Sequence, residues 1–174
     1  MRDQFAAEAR QAQEMAWEYA GTEINLQSPK QLQKVLFEDM GLKPTKRTKS
    51  GSYTTNAAAL QDLYVKSVDN ERANGFLGAL LRHREINKLK QIVQTLIDAT
   101  NTSDERIHTT FEQTVAATGR LSSVDPNLQN IPNRNAAGRE IRGVFVPGEG
   151  YEALMSCDYS QVELRIMADL SDDE

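Results

Sequence analysis

Apolar residues in the first part of the chain recur at steps of three and four, the spacing that predicts amphipathic helices. Residues 1–20 show this pattern, and Gly21 follows where a helix should end. Ser28 and Pro29 then begin a second helix, because serine can cap the first turn and proline fits its first position. Gln31 could complete a capping box with this serine.

Two further helices are predicted before the pattern changes. Thr54 or Thr55 would cap a short helix, because a side-chain oxygen there can accept a hydrogen bond from the first turn. A longer helix covers about residues 75–99, with leucine, isoleucine and valine along one face. The chain to about residue 105 is therefore predicted to be helical.

After Asn101 the apolar period changes from helical to alternating. The alternating positions, which predict a strand, are Ile107, Thr109, Phe111, Gln113 and Val115. A loop rich in Asn, Pro and Gly follows over residues 122–138. Short strands are predicted at 144–146 and 151–157, and a helix capped by Ser160 comes next. The predicted fold class is α+β, a helical part followed by a partial antiparallel sheet.

Composition places the chain among soluble globular proteins. Of the 174 residues, 39% are hydrophobic and 26% are charged. No apolar run approaches the roughly 20 residues needed to cross a bilayer, and the first twenty residues do not resemble a signal peptide. A single cysteine, Cys157, cannot form an internal disulfide, so a reducing cytoplasm is the expected location.

The charge of the chain is distributed unevenly. The net charge is −5, but residues 43–142 hold fifteen Lys or Arg against ten Asp or Glu. A local positive region can contact a phosphate backbone even when the whole chain is acidic. Within it, four cations fall in seven residues with no acid among them: Lys43, Lys46, Arg47 and Lys49. This segment predicts a phosphate-binding loop, although a solvated tip has the same composition.

The most specific chemistry lies at Asp158. This carboxylate follows a predicted strand and precedes a predicted capped helix. Hard cations such as Mg²⁺ need oxygen ligands in near-octahedral geometry, and an aspartate at a strand end could supply one. By position alone, such a residue is more often a cap or a surface acid.

Three segments together resemble family A DNA polymerases. Asp158–Arg165, with the sequence DYSQVELR, resembles motif A of that family. Residues 118–132 are similar to its palm loop, and residues 28–38 with 46–55 are similar to its thumb. The three occur in the family's order over nearly the whole chain, so the chain is identified as a member. The resemblance implies a thumb over residues 1–105 and the first part of a palm over 106–174.

The resemblance implies template-directed nucleotidyl transfer on primer–template DNA in replication and repair, with deoxynucleoside triphosphates and two Mg²⁺ ions. It makes Asp158 a ligand of both ions, helped by the Tyr159 carbonyl. Glu163 would lie against the incoming sugar and disfavour a 2′ hydroxyl, although it could equally be the capping-box partner of Ser160. The resemblance also places Gln161 and Glu163 at the nucleotide, and Arg134 near its phosphates.

A second group of residues would contact the DNA duplex. By resemblance, Arg120 reaches the minor groove near the primer end, where acceptors are similar for every base pair. Asn127, Gln129 and Asn130 would make similar contacts, although without the resemblance an ordinary polar loop explains all four. Cations of the long helix could extend the path, or form a solvated face: Arg82, Arg84, Lys88 and Lys90.

Family A polymerases need a second carboxylate and a fingers helix beyond motif A, and the resemblance finds neither before Glu174. We therefore expect the isolated chain to bind duplex DNA without extending a primer. Unpaired sheet edges predict self-association, and the expected location is the bacterial cytoplasm, in association with the nucleoid. Two alternatives stay open: a non-catalytic DNA-binding module, and a single-subunit RNA polymerase relative, which Glu163 argues against.

Overall fold

The computed structural model describes residues 1–45, 47, 51, 53–133 and 136–172. Within them, helices combine with a two-stranded antiparallel sheet, so the predicted α+β class is confirmed. The helices are α1 (Arg2–Ala20), α2 (Pro29–Gln33), a π-helix (Lys34–Asp39), α3 (Ala57–Lys66), α4 (Glu71–Asp98), α5 (Ala136–Arg142) and α6 (Val162–Ser171). The strands are β1 (Thr110–Glu112) and β2 (Ser122–Val124). No helix of these described residues is long and apolar enough to span a membrane.

The chain divides into two compact units, Met1–Ile131 and Pro132–Glu174. The first unit contains the hydrophobic core, in which helices α1, α3 and α4 pack together. Its largest fully buried apolar side chains are Phe76, Leu32, Leu36, Leu60, Leu77, Leu80 and Ile86. Burying a leucine or phenylalanine side chain stabilises a fold by about 1.5–3 kcal/mol, so this cluster holds the first unit together.

Helix α1 lies against α4 through a face of small side chains. Its buried residues are Phe5, Ala9, Ala12, Ala16 and Ala20. The predicted end is confirmed at Gly21, whose φ of 75° lies in the left-handed region and whose N–H donates to the carbonyl oxygens of Trp17 and Glu18. Arg72 adds a second closure, because its Nε donates to the Tyr19 carbonyl at 2.8 Å. Its Nη2 donates to the Ala20 carbonyl, also at 2.8 Å.

The caps of the next helices separate correct predictions from wrong ones. Ser28 caps α2 as predicted, because its Oγ accepts from the Gln31 N–H at 3.4 Å. The predicted capping box is wrong, because Gln31 Oε1 accepts from the Asn25 N–H at 2.7 Å, and the Ser28 N–H donates to the Asn25 carbonyl at 2.9 Å. The predicted threonine cap of α3 is wrong. Asn56 caps it instead, because its extended backbone lets Oδ1 accept from the Ala59 N–H at 2.9 Å.

Helix α4 begins earlier than predicted because of another asparagine. Asn70 Oδ1 accepts from the Ala73 N–H at 3.0 Å, so the helix starts at Glu71. At Gly75 it passes so close to α1 that a Cβ built there would lie 2.3 Å from Cζ of Tyr19. No real Cβ tolerates such a contact, so glycine is required as long as the tyrosine ring keeps its position.

The strand predicted after Asn101 forms only in its centre. β1 pairs with β2 in antiparallel register, with Thr110 opposite Val124 and Glu112 opposite Ser122. An isolated bridge between Thr100 and Ile107 precedes it. The loop predicted over residues 122–138 is also wrong in part, because it contains β2 and the start of α5. Pairing between distant segments decides strand length, and alternation along one segment does not reveal it.

The second unit contains α5, α6 and the segment between them. The strands predicted at 144–146 and 151–157 do not form among the described residues. All residues from 151 to 157 are exposed, so their apolar alternation has no buried face to pack against. A strand also needs a partner for its backbone N–H and C=O groups. In their place a turn forms, in which the Tyr151 N–H donates to the Gly148 carbonyl at 3.1 Å.

His83 is a buried titratable group on α4. Only 8% of its surface is exposed. Asn87 Nδ2 donates to the His83 carbonyl and to its Nε2, each at 2.9 Å, so Nε2 acts as an acceptor. The proton of the neutral ring then lies on Nδ1, which has no hydrogen-bond partner in the described part of the chain. Burial lowers the pKa of His83 below 6.5, and the charges of Arg84 and Lys90 lower it further.

This environment predicts that the first unit loses stability at mildly acidic pH. The unfolded histidine protonates near pH 6.5, whereas the folded one protonates at lower pH. The free energy of unfolding should therefore be constant above this pH and fall as the pH drops toward the folded pKa. Chemical denaturation between pH 5 and 8 measures this. His83→Gln should remove most of the fall, whereas His108→Gln should retain it. An unchanged pH profile in His83→Gln would contradict the assignment.

Candidate nucleic-acid interface and metal site

The basic loop is organised around Arg47. An antiparallel bridge joins Arg47 to Tyr53. Arg47 Nη1 donates to the Gly51 carbonyl at 2.8 Å, and Nη2 donates to the Tyr53 hydroxyl at 3.0 Å. The guanidinium carbon lies 4.4 Å from the centroid of the Tyr53 ring, within cation–π range. Arg47 remains exposed, so its charge is held in a fixed place on the surface.

The return side of the loop is fastened to three helices: α2, the π-helix and α4. The Tyr53 ring packs edge-on against Phe37 with centroids 5.1 Å apart. The Tyr53 carbonyl accepts from Gln33 Nε2 at 2.7 Å. Two residues later, the Thr55 carbonyl accepts from Arg84 Nη1 at 2.6 Å. Lys43 lies exposed on the other side of the loop, while the predicted contacts of Lys46 and Lys49 fall outside the described residues.

Two cations predicted to extend a DNA path along α4 are engaged within the chain. Arg82 pairs with Glu8 at 2.8 Å and with Glu85 at 3.2 Å. Arg84 is half-buried on the Thr55 carbonyl, and burial lowers its pKa. No local pattern indicated the first pairing, because Glu8 lies 74 residues from Arg82. Lys88, in contrast, is exposed farther along the helix.

The loop after β2 carries three of the predicted DNA contacts. Asn127, Gln129 and Asn130 are exposed, whereas Ile131 anchors the end of the loop in the interior. Asn127 Oδ1 accepts from the Gln129 N–H at 3.0 Å. Gln129 Nε2 donates to the Leu121 carbonyl at 3.1 Å, which ties the two sides of the loop together. These local hydrogen bonds fix the backbone positions from which the amide side chains of the loop extend.

A groove brings this loop together with α4. Its cavity has a volume of about 310 Å³. Helix α4 lines one side and the loop lines the other, with Lys88, Gln91, Ile92, Thr95, Leu96, Asn127, Asn130 and Ile131. A cation therefore lines the same cavity as two amides that are about forty residues away in sequence. Three of these lining residues are apolar and the other five carry hydrogen-bonding groups, a combination that can accommodate a sugar and its phosphate.

Arg120 and Arg134 complete the predicted DNA and phosphate contacts. Arg120 is exposed and directly follows Gly119, whose φ is 76°. A turn leads to this glycine, because its N–H donates to the Ala116 carbonyl at 3.0 Å. Left-handed backbone favours glycine, so Gly119 fixes the direction in which the chain enters Arg120. The predicted role of Arg134 falls outside the described residues.

Asp158 and Tyr159 lie in the second unit, on an exposed segment without strand pairing. The prediction of a strand-end aspartate is therefore wrong for this structure. The Asp158 side chain is nonetheless exposed and not turned into the interior. Tyr159 is 84% exposed. Its carbonyl and the Asp158 carboxylate both lie immediately before α6.

The predicted capping box at the start of α6 is also wrong. The helix begins at Val162, and Gln161 precedes it in the left-handed region with φ 55°. The Gln161 side chain makes no capping hydrogen bond, and the Ser160 carbonyl accepts from Arg165 Nε at 3.0 Å. Left-handed backbone at Gln161 is inconsistent with the extended conformation usual at a capping position. Glu163 stands in the first turn, where the helix dipole favours a negative charge.

The donor set around Asp158 fits Mg²⁺ as a partner of a phosphorylated substrate. Among the described residues, no group of three or more His, Cys, Asp or Glu is clustered to hold a metal. Mg²⁺ usually keeps several waters and is bound by one or two carboxylates together with substrate phosphates. One exposed carboxylate and one neighbouring carbonyl match that mode of binding. They do not match a site that encloses the ion with protein ligands alone.

Sequence reasoning missed the two hydroxyl groups on which the loop after β2 is built. Ser123 is fully buried, and its Oγ lies 2.8 Å from Oγ1 of Thr109. Both hydroxyls also contact the Pro126 carbonyl. A serine so close to an Asp-Pro pair is a weak signal for such a turn, because small hydroxyls often bond to nearby backbone.

The chain belongs to DNA polymerase family A, whose model matches residues 1–174. It is similar to DNA polymerase I of Mycobacterium tuberculosis, with 55% identity over 174 residues, which is all of this chain and 18% of the relative. DNA polymerase I of Bacillus subtilis is 41% identical over 175 residues and 19% of its length. The family assignment made from the three motifs is thereby confirmed.

A solved structure gives the same result. It is described as the POL domain of Pol1 from M. smegmatis in complex with DNA primer-template and dNTP. The TM-score is 0.90 at 55% identity, covering 99% of this chain and 29% of that one. The chain thus spans about a fifth of the curated relatives and less than a third of this domain.

Proposed function

We propose that this chain supplies the thumb and the first part of the palm of a template-directed DNA polymerase. Residues 1–105 would form the thumb, which grips the duplex, and residues 106–174 would form the beginning of the palm. The partners would be primer–template DNA and deoxynucleoside triphosphates. Support comes from the family membership of the whole chain and from its likeness to a domain solved with DNA primer-template and dNTP.

One observation carries the proposal. The exposed amides Asn127 and Asn130 line the same groove as Lys88 of α4. A cation suits a backbone phosphate, whereas amides suit the minor-groove acceptors, which hardly differ between base pairs. Groups of both kinds on one groove suit a duplex end, where base pairing can be sensed without the base sequence being read. Gln129 and Arg120 would add to these contacts from the same part of the chain.

The second unit would contribute to the chemistry. Asp158 and the Tyr159 carbonyl would hold Mg²⁺, two ions in the complete enzyme, which when bound neutralise phosphate charge and favour attack by a hydroxyl. Glu163 would crowd a 2′ hydroxyl and so select deoxyribonucleotides. Gln161 and Arg134 would contact the nucleotide. The isolated chain is proposed to bind duplex DNA without extending a primer, and the exposed apolar side chains of the second unit support its self-association.

The basic loop gives the most direct test of DNA binding. Replacing Lys43 and Arg47 with alanine removes two exposed cations from one loop. Each phosphate contact contributes about 0.9 to the slope of log affinity against log salt, so the slope should fall by roughly 2. Fluorescence anisotropy of labelled primer–template, titrated with the 174-residue chain at several salt concentrations, measures it.

A matched control comes from another exposed cation. Lys66 lies in the last turn of α3, outside the loop, and Lys66→Ala should leave the slope unchanged. If the double variant had the slope of the parent chain, the loop would not contact phosphates. If Lys66→Ala lowered the slope as much, the binding would be non-specific attraction to overall charge.

A further inference from the structure

One buried and one partly buried hydroxyl group support the loop that carries Asn127, Gln129 and Asn130. Ser123 has no exposed surface. Its Oγ lies 2.8 Å from Thr109 Oγ1 and 3.3 Å from the Pro126 carbonyl, and it accepts from the Leu128 N–H at 3.1 Å. Thr109 Oγ1 lies 2.8 Å from the Pro126 carbonyl and 3.0 Å from the Val124 carbonyl.

Counting protons gives these contacts a direction. Each hydroxyl has one proton to donate and can accept from other groups. The shortest contacts are satisfied if Ser123 O–H donates to Thr109 Oγ1 and Thr109 O–H donates to the Pro126 carbonyl. Together with the Leu128 N–H donating to Ser123, this forms a continuous series of three hydrogen bonds. Such series strengthen one another in a buried setting.

The series closes around the first DNA-contact residue. It begins at Leu128 and ends at Pro126, so the backbone on both sides of Asn127 is fixed to the same pair of hydroxyls. The Asn127 side chain in turn fixes the Gln129 N–H. The position of the loop's amides therefore depends on a threonine that precedes β1 and lies eighteen residues earlier than Asn127.

We propose that Thr109 and Ser123 are positioning residues for reading the minor groove through Asn127, Gln129 and Asn130. The inference rests on the proposed function, because it assumes that these amides meet the primer end. Hydrogen bonds weaken steeply when donor and acceptor leave the range of about 2.7–3.2 Å. An error of about 1 Å in a positioned group can cost as much as 100-fold in rate. A rigid support beneath the loop therefore matters to fidelity as well as to stability.

Removing one acceptor from the minor groove of the primer distinguishes a role in positioning the loop amides from a role in stabilising the fold. The full-length protein would extend primers that end in guanine or in 3-deazaguanine, which lacks the N3 acceptor. The ratio of the two kcat/KM values reports the contact. Gln129→Ala and Asn130→Ala together should reduce this ratio toward one. If the unmodified protein already had a ratio near one, the proposed minor-groove function would be wrong.

A matched pair of variants tests the support itself. Thr109→Val replaces the hydroxyl with a methyl group of similar shape, whereas Thr109→Ser retains the hydroxyl. We expect the first to lower the ratio by roughly tenfold, the equivalent of about one hydrogen bond, and the second to keep it. Ser123→Ala should behave like Thr109→Val and serves if the valine variant does not fold.

Three results would overturn the inference while leaving the proposed function intact. One is an unchanged ratio in both Thr109→Val and Ser123→Ala, with the amide variants still reducing it. Another is an equal loss on both primers, because that would indicate support for the fold alone. The third is a lowered ratio in Thr109→Ser, which would place the effect in the methyl group of the threonine.

Discussion

Replacing Asp158 with asparagine in the full-length protein is expected to lower primer extension by about 1,000-fold. The change keeps the shape of the side chain and removes its negative charge, so the Mg²⁺ binding proposed for this carboxylate should be lost. A bound metal ion provides several kcal/mol of transition-state stabilisation, and about 4 kcal/mol corresponds to this factor in rate. Single-turnover extension at saturating primer–template measures the loss, and binding of DNA should remain within about threefold of the parent.

Asp169 provides the matched control. It lies on α6, eleven residues beyond Asp158, and it is also exposed. Asp169→Asn removes the same charge from the same unit, and surface substitutions of this kind usually change stability by less than about 0.5 kcal/mol. Extension should stay close to that of the parent. Full activity in Asp158→Asn would leave a non-catalytic DNA-binding module as the better explanation of the chain.

Gly75→Ala is expected to destabilise the first unit by about 2 kcal/mol. Alanine is normally favoured over glycine inside a helix by about 1 kcal/mol, so propensity alone predicts the opposite sign. The new methyl group, however, would lie 2.3 Å from Tyr19 Cζ and 2.4 Å from Cε1. Forcing extra volume into a packed contact costs about 1–3 kcal/mol and more in tight cases. Urea denaturation followed by circular dichroism measures the difference.

Removing the Tyr19 ring distinguishes the steric clash from other effects of Gly75→Ala. In a Tyr19→Ala background the obstacle is gone, so Gly75→Ala should become stabilising by up to about 1 kcal/mol. Gly78→Ala is a control on the same helix, because its Cβ would lie 3.4 Å from Tyr64 Cε2, close to an ordinary contact. Destabilisation of equal size in both tyrosine backgrounds would mean that helix α4 itself rejects the substitution.

Local signals in the sequence predicted the helical part well. Gly21 ends α1 because only the left-handed backbone closes the helix there, and Ser28 caps α2 through its own hydroxyl. Both features depend on residues within a few positions of each other. Asparagine caps were missed at Asn56 and Asn70, although their side chains act on the same local principle. A stricter comparison of neighbouring polar residues would have found them.

Long-range features could not be predicted. The strand expected at 151–157 depends on a partner, and no alternation along one segment supplies it. The pairing of Arg82 with Glu8 joins two helices, so a cation expected on a DNA path is engaged elsewhere. For the candidate site, the sequence predicted the amides of the loop but not the buried Ser123 beneath them. Surface residues can be matched to a family motif in the sequence, whereas the buried residues that position them are recognised only in the three-dimensional structure.

The attachment of the basic loop has a mechanical consequence. Residues 53–55 are held at one carbonyl by Gln33 and at another by Arg84, which belong to separate helices. A force that a moving duplex applied to Arg47 would therefore be transmitted to both of these helices, which pack in the hydrophobic core. The rigidity of the loop then depends on how tightly these helices pack in the core. A substitution that creates a cavity in the core would therefore make the loop more mobile, although it changes no cation.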